Sequence, residues 1–317
     1  MIVVKRLAAL GAAVALIAGA LYARDQWIEE DESTAGTTSA TVLVCAAELA
    51  ALCSQVSADY PELTVRVDDV GSSLNSIADD EMWFTFTPFP DIVSQTRERT
   101  RQTALEYAVS PVASSNLAAV SLTDRGAVLA ANCGSAVEWR CLGDLAGTDW
   151  STIGGDASWG RVRPAFSPLS SGIGRLGVAS AVSGFFGDAP IDVNNPDFIG
   201  WARRFDRAVP ASSLAGSTAV GTIQVRSSLL DVAIGAAAEL TPSAAPRFTA
   251  SVVDPPARID LVLAVPAGVR APSGLADALA QVAESSGWLA PGAPGVAGAP
   301  ADANTVVATS QVWEDLT

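Results

Sequence analysis

The chain contains no histidine and only one lysine, Lys5, among its 317 residues. The lack of histidine removes the usual general base at neutral pH, the histidine-dependent catalytic triads and the commonest metal ligand. The Gly-x-Ser-x-Gly, Walker and His-Glu-x-x-His motifs are missing as well. Carboxylate, lysine or tyrosine chemistry remains the alternative, for example a hydrolase or transferase that uses serine with lysine or a carboxylate. Because no paired-carboxylate signature stands out, the sequence predicts a protein that is not an enzyme and that carries neither a metal nor a cofactor.

Basic residues are few in general. The chain has 19 of them against 34 acidic residues, a formal net charge of −15, and no cluster of arginines offsets this. A field of that sign repels the phosphate backbone, so the sequence predicts no nucleic-acid partner. An anionic ligand would also receive no long-range attraction, and any anion site would depend on local dipoles.

The N-terminus has the pattern of an export segment. Lys5 and Arg6 precede an uncharged, mostly apolar run over 7–22, and acidic residues follow at 29–32. This order of charges places the rest of the chain outside the cytoplasm. Residues 18–20 (Ala-Gly-Ala) fit a signal-peptidase site, whereas the run, at roughly 24 Å of helix, is slightly short for a span. Residues 1–23 are thus either a cleaved signal peptide or a membrane anchor, and 24–40 an acidic, Ser/Thr-rich tether.

The four cysteines form two pairs with equal spacing. Cys45 and Cys53 are eight residues apart, and so are Cys133 and Cys141. An even number of cysteines in an exported chain favours disulfides. Turn-forming residues follow Cys133, so its loop closes easily. The first pair can bridge only if 46–48 is not helical, because eight helical residues would separate the Cα atoms by about 12 Å; two buried free thiols are the alternative.

Hydrophobic periodicity alternates between strand and helix types, which predicts an α/β fold with a parallel or mixed sheet. The expected strands are 41–45, 63–67, 91–94, 117–120, 127–131, 230–234, 259–265 and 305–309. The expected helices are 49–60, 74–78, 97–107, 173–186, 198–209 and 274–286, and 288–300 reads as an irregular loop.

Three serine-bearing turns follow extended stretches, and the first and third precede helix-like runs. They contain Ser72 and Ser73, Ser114 and Ser115, and Ser170 and Ser171. Helix N-termini offer unpaired N–H groups and a partial positive charge, so hydroxyls gathered there predict a site for a small solute. The alternative is that each serine simply caps its helix.

An aromatic cluster stands between the first two turns. It consists of Trp83, Phe84, Phe86 and Phe89. Such residues form core, a lid over a cleft, or a partner surface, and scattered aromatic residues most often pack in the core. We expect core packing here.

Six segments in this order resemble type II extracytoplasmic solute-binding proteins of ABC importers, nearest the cluster that includes molybdate- and tungstate-binding proteins. They are 42–49 (VLVCAAEL), 68–74 (DDVGSSL), 90–93 (PDIV), 107–115 (YAVSPVASS), 142–146 (LGDLA) and 163–172 (RPAFSPLSSG). The resemblance covers residues 41 to about 290. It implies a two-lobed periplasmic-binding-protein-like fold (type II) with an interlobe cleft.

The resemblance also implies boundaries and site residues. Lobe 1 would comprise 41–110 plus 241–317, and lobe 2 would comprise 111–240. The ligand-binding residues implied by position are Ala47, Glu48, Ser72, Ser73, Ser114, Ser115, Ser170, Ser171 and Gly172. Oxyanion binders of the cluster usually have a small hydroxyl residue where this chain has Glu48. A carboxylate there disfavours an anion and favours an amine or another cation, unless Glu48 is a solvated residue in the first turn of a helix.

The function implied is capture of a small solute, possibly an oxyanion, by a monomer that delivers it to an ABC permease. The alternative is a membrane-anchored module of the same fold that serves protein interaction or sensing without transport. The tether and Glu48 favour this alternative.

Overall fold

The computed structural model describes residues 41–209, 214, 216 and 218–316. The predicted signal or anchor segment (1–23) and the tether (24–40) lie outside these residues. Within the described ranges, no helix combines the length and the apolar character that crossing a bilayer requires.

The described residues form a mixed α/β fold, as the periodicity predicts. The strands are β1 Thr41–Ala46, β2 Leu63–Asp68, β3 Met82–Phe86, β4 Tyr107–Leu122, β5 Val137–Glu138, β6 Pro164–Phe166, β7 Val232–Ala236, β8 Phe248–Asp254 and β9 Arg258–Pro266. The α-helices are α1 Ala50–Ser57, α2 Val70–Ser76, α3 Phe89–Arg99, α4 Thr123–Cys133, α5 Trp139–Leu145, α6 Gly172–Phe186, α7 Pro196–Ala208, α8 Ala219–Val225, α9 Leu275–Ser285 and α10 Ala303–Leu316.

The strands form two half-sheets that share β4. The first half-sheet contains β2, β1, β3, β9 and the beginning of β4; β1 pairs in parallel with β2 and β3, whereas β9 is antiparallel to β3 and β4. The second half-sheet contains the end of β4 with β7, β6 and β8. Residues 107–116 of β4 face β9, and residues 117–122 face β7 and β8. The chain therefore passes from one half-sheet to the other along a single strand. The lobe boundaries stay a prediction.

Both predicted disulfides are present. The Cα atoms of Cys45 and Cys53 are 6.6 Å apart, and those of Cys133 and Cys141 are 5.5 Å apart. The first bridge forms because Ala47–Leu49 is a short 3₁₀ turn, so that Cys53 lies in the first turn of α1. This is the geometry that the spacing requires.

The aromatic cluster is core, as expected. Trp83, Phe84, Phe86 and Phe89 are all fully buried. Three of them belong to β3, a strand that the periodicity does not reveal, because each of its residues is buried. A strand covered on both faces has no polar alternation.

The segment 91–107 differs from the prediction. The expected strand 91–94 lies inside α3, and the expected helix 97–107 ends at Arg99, with Tyr107 starting β4. The buried residues of α3 include Phe89, Ile92 and Val93, which have helical spacing. Ile92 and Val93 alone suggest a strand, but together with Phe89 they form the i, i+3, i+4 spacing of a helix.

Two further predicted strands are helical. Residues 127–131 lie in α4, where alanine favours a helix and Gly126, Leu129 and Cys133 face inward at helical spacing. Residues 305–309 lie in α10 despite two valines and two threonines. Val306 and Trp313, seven residues or about two turns apart, are both buried on the same face of this helix. The packing of that face outweighs the β-propensity of its residues.

Helix α10 contacts elements of both halves. It packs against α6 and α7 and also touches α3. The Trp313 ring lies 5.3 Å from the Phe166 ring and 6.2 Å from the Phe205 ring, in edge-to-face geometry. The aromatic pairs and the area they bury hold the last helix on the second half of the molecule.

A buried ion triad stabilises the second half-sheet. The Asp231 side chain is fully buried before β7, and Arg163 contacts it at 3.0 and 3.2 Å. Arg125 of α4 contacts Oδ1 of the same carboxylate. Removing one member of a buried ion pair leaves an uncompensated charge, which costs more than the pair contributes.

We therefore expect Asp231→Ala to lower the free energy of unfolding by about 3–5 kcal/mol. Guanidinium unfolding measures this change, with Asp59→Ala as the matched control. Asp59 is exposed, and its replacement should change stability by about 0.5 kcal/mol or less. Equal effects of the two substitutions would contradict the role of the triad.

Candidate functional site

A cavity of about 380 Å³ lies where residues after strands of both half-sheets meet. It is lined by Ala47, Glu48, Asp69, Pro168, Ser170, Ser171, Gly216 and Thr218. The first three follow β1 and β2, and the others belong to the loops before α6 and α8. Ligands of open α/β sheets bind beyond the carboxyl ends of strands, and a volume of this size is at the lower end for small-molecule sites.

Ser171 is the N-cap of α6. Its hydroxyl accepts a hydrogen bond from the N–H of Gly174 at 2.9 Å. The capping alternative is therefore correct for this residue, although Ser171 also lines the cavity. The neighbouring Ser170 is exposed, and its carbonyl oxygen accepts from the N–H of Gly71 at 2.9 Å. That bond connects α2 of the first half directly to the loop before α6.

Glu48 places a carboxylate at the N-terminus of α6. Its Oε1 accepts from the N–H of Ile173 at 3.2 Å, and its Oε2 is shielded from solvent with no hydrogen-bond partner among the described residues. Burial raises the pKa of Glu48, and backbone N–H groups of Glu48, Ile173 and Gly172 and the Ser171 hydroxyl act in the opposite direction. The carboxylate is thus a buried cap for a helix of the other half-sheet, and it is not the solvated residue of the alternative interpretation.

The start of α6 is packed closely on the first half-sheet. A Cβ atom on Gly172 would lie 2.6 Å from the Phe86 ring and 3.0 Å from the Phe89 ring. Glycine is required here because the helix backbone approaches those rings without room for a side chain. Gly172 therefore contributes to contact between the halves and does not line the cavity.

A second acidic residue, Glu239, lies behind Thr218. Its Oε2 accepts from the N–H of Ala236 at 2.9 Å, and the Thr218 hydroxyl is also a partner. A Cβ atom on Gly235 would lie 2.5 Å from that oxygen, so the carboxyl group folds over β7. Burial, with a smaller contribution from the negative charge of Glu48, raises the pKa of Glu239 to about 7, although the hydrogen bonds from Thr218 and Ala236 act in the opposite direction.

Glu239 and Thr218 are absent from the sequence-based site. Glu239 follows the end of β7 by three residues, as Glu48 follows the end of β1 by two. Thr218 precedes an apolar run and caps α8 by accepting from the N–H of Gly221 at 3.0 Å. An acid shortly after a buried strand is the signal that would have identified Glu239.

The predicted residues fall into two groups. Ala47, Glu48, Ser170 and Ser171 line the cavity. Ser72 and Ser73 lie inside α2, where Ser72 is exposed and Ser73 is buried. That helix begins at Val70, so neither serine is at its start.

The serines of the second turn form bonds within the protein. Ser114 donates to Asp260 Oδ1 at 2.6 Å, and its backbone exchanges hydrogen bonds with Leu289. The Ser115 hydroxyl accepts from the N–H of Ala238 at 3.1 Å, in the turn that carries Glu239. Ser115 thereby holds the turn that carries Glu239, and neither Ser114 nor Ser115 lines the cavity.

The arrangement can bind a small solute through hydroxyl groups, carboxylates and backbone atoms. Described lining residues include two carboxylates, Glu48 and Asp69, and no arginine. The described ranges contain no group of three His, Cys, Asp or Glu side chains placed to hold a metal ion. The chemistry of this lining is recognition by hydrogen bonds and negative charge.

The raised pKa of Glu239 predicts a pH-dependent stability. The folded protein keeps this proton up to about pH 7, whereas the unfolded chain loses it near 4.5. The free energy of unfolding should therefore fall as pH rises between these values and become level above them. One carboxyl group contributes a slope of at most about 1.4 kcal/mol per pH unit.

Urea unfolding of the wild type and Glu239→Gln between about pH 5 and pH 8 measures this slope. Glutamine does not titrate, so the variant should show a smaller decrease with pH. Glu284→Gln serves as the control because Glu284 is exposed. Identical slopes in all three proteins would refute the assignment to Glu239.

Comparison with known proteins places the fold. No protein-family model and no curated protein matches the sequence. Among solved structures, a periplasmic thiamin binding protein matches with a TM-score of 0.51 and 12% identity, covering 87% of this chain and 95% of that one. A putative spermidine/putrescine ABC transporter protein from Listeria monocytogenes matches with a TM-score of 0.51 and 8% identity, covering 87% and 98%. The chain therefore has a periplasmic-binding-protein-like fold.

Proposed function

We propose that this protein is an extracytoplasmic solute-binding protein that captures a small solute and presents it to an ABC permease. The observation that carries the proposal is the cavity between the two halves, at the capped N-termini of α6 and α8. Its lining includes Glu48, Asp69, Ser171 and Thr218, whose carboxylate and hydroxyl groups can form hydrogen bonds with a small solute. The protein acts by binding and not by catalysis, as a monomer without a cofactor.

Location outside the cytoplasm has two supports. Both disulfides are of the kind that persists in an oxidising compartment. The N-terminal pattern adds a signal peptide or a membrane anchor, so that the binding unit follows a tether at the membrane surface or is released from it.

The charge of the cavity favours a neutral or cationic solute. Glu48 and Asp69 line it, and the sequence of residues 209–218 contains no charged residue. An oxyanion would meet two carboxylates and no basic group of the described lining. The predicted oxyanion, and with it the molybdate and tungstate cluster, has no support from this geometry or from the two structural neighbours.

A second candidate function is a membrane-anchored interaction or sensory module of the same fold. Hydrogen bonds between described residues join the halves directly, among them those from the Ile173 N–H to Glu48 and from the Gly71 N–H to the Ser170 carbonyl oxygen. Neither bond requires a solute between its partners. A module that binds a partner protein and no solute would also need its two halves held together by the protein's own groups.

Thermal unfolding in the presence of single solutes tests the first candidate. The probes are thiamin, putrescine, spermidine, molybdate and sulfate, with matched ionic strength. A ligand at a hundred times its Kd should stabilise the protein by about 2.7 kcal/mol. The variant Ala47→Trp should abolish this effect because Ala47 lines the cavity and is exposed.

Ala51→Trp is the matched control, since Ala51 is exposed in α1 and does not line the cavity. It should keep the full stabilisation. Stabilisation that survives Ala47→Trp would place the solute elsewhere. If no probe stabilises the wild type, a wider solute screen that is also negative favours the interaction module.

A further inference from the structure

We infer that the Glu48 side chain is a tethered anion, which fills the anion position at the N-terminus of α6 and excludes anionic solutes from the cavity. The inference deepens the proposed function, because it concerns which solutes the same cavity accepts. It assigns Glu48 as a specificity-determining residue and not as a direct ligand of a bound anion.

The first argument is that the N–H groups at the start of α6 have partners. The Ser171 N–H donates to the carbonyl oxygen of Pro168 at 2.9 Å, and the Ile173 N–H donates to Glu48 at 3.2 Å. The Gly174 N–H donates to the Ser171 hydroxyl at 2.9 Å. The Gly172 N–H also acts on the Glu48 carboxylate. A helix terminus binds a free anion through these first donors, and here the protein's own groups use them.

The second argument is that the carboxylate is fixed in place. Glu48 lies in the loop closed by the disulfide between Cys45 and Cys53. The helix that it caps is held against the same half-sheet, because Gly172 packs on Phe86 and the Ser170 carbonyl binds Gly71. Both partners of the contact are therefore positioned before any solute arrives, and a solute anion would have to displace a group that is attached to the chain.

The third argument is electrostatic. The partial positive charge at a helix N-terminus, about half an elementary charge, is compensated by the carboxylate. Asp69 adds a second negative group to the lining. Arg175, one turn into α6, does not line the cavity; its guanidinium lies beside Gly71 and 3.8 Å from Glu314. Because Glu48 already compensates the partial positive charge of the helix, a second anion would gain little electrostatic attraction there.

Chemical rescue tests the inference. Glu48→Ala removes the tethered carboxylate and opens a space of its size at the helix terminus. Acetate and formate are the probes because they carry the deleted group. We expect calorimetry to show acetate binding to Glu48→Ala at least about tenfold tighter than to the wild type, and acetate to raise the Tm of the variant above that in chloride at equal ionic strength.

Two matched variants separate the causes. Glu48→Gln removes the charge but keeps the volume and an acceptor oxygen at the helix terminus, so it should bind acetate less tightly than Glu48→Ala does. Asp69→Ala removes the other carboxylate of the cavity without opening the terminus of α6, and it should behave in the same way. Glu48→Ser provides a second opened terminus if Glu48→Ala does not fold.

The inference is overturned if the wild type binds acetate, formate or molybdate in the cavity as tightly as the opened variants do. It is also overturned if a folded Glu48→Ala or Glu48→Ser protein binds none of these anions. The test needs no natural solute. Rescue by acetate, together with a wild type that binds no solute, would support the tethered anion and reject only the proposed function.

Discussion

The architecture depends on β4, a strand of 16 residues that belongs to both half-sheets. At about 3.3 Å per residue it extends for roughly 50 Å, longer than most strands. Its beginning pairs with β9, and its end pairs with β7 and β8. Because both half-sheets are built on one strand, the residues that follow β1 and those that precede α6 and α8 reach the same cavity. Ser115 lies near this passage and bonds to the turn of Glu239.

Negative charge at the cavity is balanced by backbone dipoles rather than by basic side chains. The Glu48 carboxylate binds the first N–H groups of α6, and Glu239 binds the N–H of Ala236. Burying a carboxylate is costly, and hydrogen bonds from backbone N–H groups offset part of that cost. The raised pKa of both residues records the remaining penalty. Glu48 contacts α6 of the other half and lines the cavity, where its charge affects which solutes bind. Glu239 lies close to it and makes the stability of the fold depend on pH.

Much of the fold follows from local patterns. The strands β1, β2, β7 and β9 and the helices α6, α7 and α9 have clear periodicity, and the cysteine spacing specifies both disulfides once the 3₁₀ turn is allowed. The errors occur where tertiary burial outweighs local preference. β3 is buried on both faces, and α10 is helical although rich in β-branched residues, because its inward face packs on aromatic rings.

The candidate site was predictable to a lesser degree. Position in the chain indicated Ala47, Glu48, Ser170 and Ser171, which line one cavity in the structure, and their role in binding stays a prediction. Position did not indicate Thr218 and Glu239, because Thr218 reaches the cavity and Glu239 reaches Thr218 through tertiary contacts that no local pattern specifies. The serines of β4 also look like site residues in the sequence, yet their hydroxyl groups bond to Asp260 and to the turn at Ala238.

The sequence by itself determined the fold class, the disulfide pairs, the absence of histidine chemistry and the unusual carboxylate at position 48. These are properties of composition, spacing and periodicity, which need no knowledge of distant contacts. Only the tertiary structure decided what Glu48 does. Its partner, the N–H of Ile173, lies 125 residues away in the chain, and no local pattern relates the two. The half-sheets bring them together because β4 connects both and because Gly172 lets α6 approach the buried rings of the first half-sheet closely.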